Sequence, residues 1–153
     1  MDGQKALGVD ARSAPVVPSA PEARVGAPNR LPVWTAVAAG LLGPVLAAVC
    51  IALEPVPADP QAGDPVVSVV LGYALLVAWL GAATTAIGRR PAALGWAAGA
   101  AGLSVLMTIT CPTSGHHSAV AGWWVAQMAV CLSALAFTAA GLRWWAARSA
   151  VSA

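Results

Sequence analysis

Charge is what this sequence has least of: 9% of its 153 residues are Asp, Glu, Lys or Arg, where a soluble domain carries about a quarter. A chain so poor in charge, 59% apolar and with a mean hydropathy of +0.75, is not a soluble enzyme built round one core. A net charge of +2 is too small for a nucleic-acid binder, and no basic run alternates with aromatics. Catalytic signatures are missing as well. There is no Gly-x-Ser-x-Gly, no His-Glu-x-x-His, no phosphate-cradling glycine loop and no Cys-x-x-Cys, and with them go the usual routes to hydrolysis, metalloproteolysis, nucleotide use and dithiol redox work. The chain is therefore expected not to be an enzyme.

What is present falls into four apolar stretches, roughly 33–53, 66–88, 92–110 and 119–142, none of which contains Asp, Glu, Lys, Arg or His. Each has about the 20 residues a helix needs to cross roughly 30 Å of hydrocarbon. The expected fold is all-α, a four-transmembrane-helix bundle over residues 32–145, with a disordered Pro/Ala-rich tail at 1–31 and a short tail at 146–153. Glu54-Pro55 stops the first helix, because the residue before proline is pushed out of the α region. Asp64-Pro65 starts the second as N-cap plus proline. Gly88-Arg89-Arg90-Pro91 is short enough to force helices two and three antiparallel. Cys111-Pro112 ends the third helix, and Ser118 is expected to cap the fourth.

Orientation follows from the eight basic residues. Lys5, Arg12, Arg24 and Arg30 precede the first span, Arg89 and Arg90 join the second to the third, and Arg143 and Arg148 follow the fourth. An even number of passes puts all eight on one face, which the positive-inside rule assigns to the cytoplasm, so both termini are expected inside (N-in/C-in) and the location is the plasma membrane. With Asp2, Asp10 and Glu22 on that face it carries +5, while Glu54, Asp59 and Asp64 leave −3 opposite. Trp34, Trp144 and Trp145 fall at the inner interface, Trp123 and Trp124 at the outer one, where amphipathic rings anchor. A cleavable signal peptide ending near Val56-Pro57-Ala58 is the rival for span one; its apolar core is too long for that role.

Absence of ionisable groups inside the spans argues against proton-coupled transporters, pumps and voltage sensors, which keep such costly groups for work. Close packing must hold the helices together in lipid, so small residues are expected at contacts, chiefly Gly95, Gly99 and Gly102 in helix three with a similar face of Gly81, Thr84, Thr85 and Gly88 in helix two, and Gln127 is expected to hydrogen-bond across helices. Span hydroxyls can bond back to their own helices. Pro44 should free the Gly40 carbonyl and kink helix one. The segment Cys111-Pro112-Thr113-Ser114-Gly115-His116-His117-Ser118 holds both histidines of the chain. Cys111, His116 and His117 could together ligate Zn or Cu, a thiolate and two imidazoles being a suitable set; the alternative is that the histidines merely cap helix four. Cys50 and Cys111 are a candidate disulfide on the outward side, and Cys131 reads as a small core residue.

On Cys111-Pro112-Thr113-Ser114-Gly115-His116-His117 followed by Gly122-Trp123-Trp124, across about residues 95–145, the chain resembles uncharacterised small Ala-rich four-span membrane proteins of actinobacteria. That resemblance implies a location and a fold and adds no mechanism. The expected function is an integral membrane accessory or sensory protein that contacts a membrane-protein partner through its helices, with a metal- or redox-responsive Cys/His site outside. The alternative is a small homo-oligomeric transporter or channel.

Overall fold

A computed structural model of the chain describes residues 30–55, 65–113 and 122–151. Those residues form four helices: α1 (Val33–Leu53), α2 (Val66–Ile87), α3 (Ala92–Thr113) and α4 (Gly122–Val151). All four are long and apolar enough to cross a membrane. The tail 1–29 and the segments 56–64 and 114–121, with Asp64, His116, His117 and Ser118, lie outside the described residues.

Three boundaries differ from the sequence expectation, each for a local reason. Pro112 does not end α3 but sits in its last turn. Position 65, not 64, is the N-cap of α2, with no side-chain cap; the Pro65 carbonyl takes the Ser68 and Val69 amides at 2.9 and 3.2 Å. The expected tail from 146 is helical to Val151, and there Arg148 lies 3.8 Å above the centre of the Trp144 ring one turn back, a pairing that favours continued helix. As expected, Glu54 leaves the helix in an extended conformation (φ −74, ψ 125). α1 runs without interruption through Pro44.

α1 and α3 form the short diagonal of a rhombus, each touching the other three helices, whereas α2 and α4 do not approach one another. Packing is inverted relative to a water-soluble bundle. Half of the buried positions are alanines, among them Ala36, Ala39, Ala82, Ala97 and Ala101, while Val66 is 79% and Ile87 86% exposed. Small residues inside let backbones come close, and large apolar side chains outside suit a hydrocarbon solvent. Closest approach is made by Gly81 of the expected helix-two face and by Gly40 and Gly43, not by the helix-three ridge. A Cβ on Gly43 would sit 2.6 Å from Trp79, one on Gly81 2.5 Å from Trp96, and one on Gly40 3.2 Å from the Ala86 Cβ. Gly95, Gly99 and Gly102 have nothing within 4 Å of the same position, so that ridge faces out of the bundle.

The α2–α3 turn is closed by Arg89 in the left-handed region, φ 54. Its amide bonds to the Ala86 carbonyl at 2.8 Å and that of Arg90 to the Thr85 carbonyl at 2.9 Å, the paired bonds of a Schellman cap. Arg89 then holds the entry to α1. Its carbonyl accepts the Leu31 amide and its Nε donates to the Leu31 carbonyl, both at 2.7 Å.

Candidate functional site: a buried thiol pocket

Polar side chains in this bundle mostly satisfy themselves. The hydroxyls of Thr84, Ser104, Ser133 and Thr138 donate to the carbonyl four residues back at 2.7–2.9 Å, as expected. One region differs, towards the end of the bundle where α1 stops and α4 begins. Cys50 of α1, Ser104, Met107, Thr108 and Cys111 of α3, and Gln127 of α4 line a cavity of about 60 Å³, with Glu54 among its residues.

The α3 wall is built by a substitution of donors. Proline at 112 has no amide, so the Thr108 carbonyl loses its partner four residues on. The indole Nε1 of Trp124 donates to that carbonyl at 2.7 Å, which lets the helix pass through Pro112 and ties α4 to α3 at the pocket. Trp124 is thus a structural donor in addition to the interfacial anchor the sequence suggested. The Thr108 hydroxyl donates back to the Ser104 carbonyl at 2.9 Å and lies 3.7 Å from the Cys131 sulfur.

Cys131 is fully buried, and its sulfur is 3.8 Å from that of Cys50. The neighbour across the bundle from Cys50 is therefore the cysteine that read as a plain core residue. Cys111, the disulfide candidate, shares the cavity with Cys50, and none of the three cysteines is in a disulfide. Sequence reasoning missed the 50–131 pair because 81 positions separate them and helix rotation is set by packing. A signal did exist, since Gln127 and Cys131 share one α4 face. Gln127 is buried at 4% exposure; its side chain hydrogen-bonds Cys50 of α1 across the helices, as expected, while its Oε1 has no partner among the described residues.

Of the proposed ligand set Cys111, His116 and His117, only the cysteine is described; among the described residues no three His, Cys, Asp or Glu side chains converge on a metal position. A second concavity, about 530 Å³, opens between α1 and α4 near Trp34, Leu42, Leu94, Phe137 and Trp144. Its walls are apolar, without the convergent polar groups that orient a specific ligand. Comparison with protein-family models, with curated proteins and with solved structures finds no match for this chain.

Proposed function

We propose that the chain is a non-enzymatic membrane protein of the plasma membrane, multi-pass with both termini cytoplasmic, that serves as an accessory or sensory subunit through helix contacts with a partner. Its responsive element on this reading is the thiol pocket, to which the Cys111 end of the Cys/His segment also belongs. The observation that carries the reading is the 3.8 Å approach of Cys50 and Cys131. Two thiols meet at a junction of α1 and α4, so a chemical change at the sulfurs is felt directly by the packing of those helices. The outward ridge of Gly95, Gly99 and Gly102 supports the partner half of the reading, because it is a surface shaped for close approach and unused among the described residues.

A photo-cross-linking residue in place of the exposed Leu106, two turns beyond Gly99 on the same side of α3, tests it in native membranes. The expected adduct joins this chain to a different membrane protein and changes in yield when Cys50 and Cys131 are both replaced by alanine. Adducts only between copies of the chain would support the homo-oligomeric transporter or channel instead. Partner adducts indifferent to the double replacement would remove the thiol pocket from the mechanism.

A further inference from the structure

We infer that Cys50 and Cys131 form a binding site for one soft divalent cation of the zinc class, completed by the Gln127 Oε1 and by water in the adjoining cavity. The inference rests on the reading of the thiol pocket as the responsive element.

Geometry is the first support. Two sulfurs bound to one tetrahedral ion at about 2.3 Å each are about 3.8 Å apart, and the Cys50 and Cys131 sulfurs are 3.8 Å apart. The two sulfurs are therefore already at the separation a tetrahedral ion requires of two of its ligands. Charge is the second. In a low-dielectric interior a net charge is costly, and a divalent ion on two thiolates is neutral; each S–H proton leaves as its metal–sulfur bond forms, two protons released per ion bound.

The remaining ligands must then be neutral, and Gln127 offers one in a wall that also carries Glu54 and Cys111. Gln127 lines the same cavity, is 4% exposed and holds its Oε1 buried without a partner. A buried amide oxygen left unsatisfied is destabilising, a cost that coordination removes. The cavity of about 60 Å³ has room for water, one of which occupies about 10–15 Å³ on the same measure. Since no three His, Cys, Asp or Glu converge among the described residues, this is a two-thiolate site. Such a site has fewer anionic ligands than the closed four-ligand sites of structural zinc, and is suited to an ion that exchanges.

The test uses the full chain, purified in detergent under reducing conditions, with Zn²⁺ and Cd²⁺ as probes. Expected are one ion per chain, a thiolate-to-cadmium charge-transfer band, two protons released on binding, and protection of both Cys50 and Cys131 from maleimide by Zn²⁺. Cys50→Ser and Cys131→Ser should each weaken binding at least about 100-fold and Gln127→Leu about 10-fold, in the range that loss of a ligand or its support produces. Cys111→Ser and the double replacement His116→Ala, His117→Ala should leave affinity unchanged. The inference is overturned if binding follows the histidines, if the charge-transfer band is missing from the reduced wild type, or if Zn²⁺ protects neither thiol; the last needs no variant and so survives a misfolded mutant. A Cys50–Cys131 disulfide in protein isolated without reductant would overturn it in favour of oxidation. Partner coupling is read separately, by the cross-link in membranes, so either result can fail without the other.

Discussion

A single indole N–H shows how strongly individual donors count in this molecule. Trp124 supplies the hydrogen that Pro112 lacks, at 2.7 Å from the Thr108 carbonyl, so Trp124→Phe leaves a carbonyl unpaired at a cost of about 1–3 kcal/mol. Replacing Pro112 by alanine restores the amide. In the Pro112→Ala background Trp124→Phe should accordingly cost less, and a double-mutant unfolding cycle should give a coupling of about 1 kcal/mol; independent effects would refute the substitution of donors. Arg89 joins two elements in a comparable way. Its left-handed backbone costs about 1–2 kcal/mol in a residue other than glycine, and its Nε bond to the Leu31 carbonyl offsets that. Arg89→Ala keeps the strain and loses the bond, so the chain should unfold at lower denaturant. Arg89→Gly loses the bond but relieves the strain, and should fall between the two.

Helix against helix, the important distinction is between glycines that admit a neighbour and glycines that face away. At Gly81 an added methyl would lie 2.5 Å from the Trp96 ring. Gly81→Ala should destabilise the bundle by about 1–3 kcal/mol, the usual cost of overpacking. At Gly99 the same change meets open space and improves helix propensity by up to about 1 kcal/mol, so Gly99→Ala should be neutral or stabilising for the isolated chain. Gly99→Leu should do little to its unfolding either, yet abolish the cross-link to a partner seated on α3. If Gly99→Ala instead destabilises the purified protein as much as Gly81→Ala, the outward placement of that ridge is wrong.

For the molecule as a whole, orientation is the broadest prediction. Cysteines introduced at positions 3 and 152 of a chain whose native cysteines are replaced should resist a membrane-impermeant maleimide in intact cells, while one at position 61 should react. Reaction at 3 or 152 would reverse the proposed topology. The helix inventory was legible because apolar stretches of membrane-crossing length, bounded by Glu54-Pro55, Pro65 and Gly88-Arg89-Arg90-Pro91, leave the backbone no other way to satisfy its hydrogen bonds in lipid. Hydroxyl back-bonding was legible for the same local reason. Less was visible of the ends, because the helix continues through Pro112 only when another helix brings a donor to it. Of the candidate site, Cys50, Cys111 and Gln127 were singled out, but not the pairing of Cys50 with Cys131.

Composition and local order along the chain thus determined the four membrane-length helices and their limits to within a turn at most ends, and they carry the proposed placement of all basic residues on one side, since hydropathy, proline geometry and charge act over a few neighbouring residues. Which side of each helix turns inward was decided only by the assembled bundle. In a chain where alanine and glycine are common on every face, small-residue spacing cannot single out the contact, and the fit of Trp79 against Gly43, Trp96 against Gly81 and Trp124 against the Thr108 carbonyl sets the rotation that brings two distant thiols together.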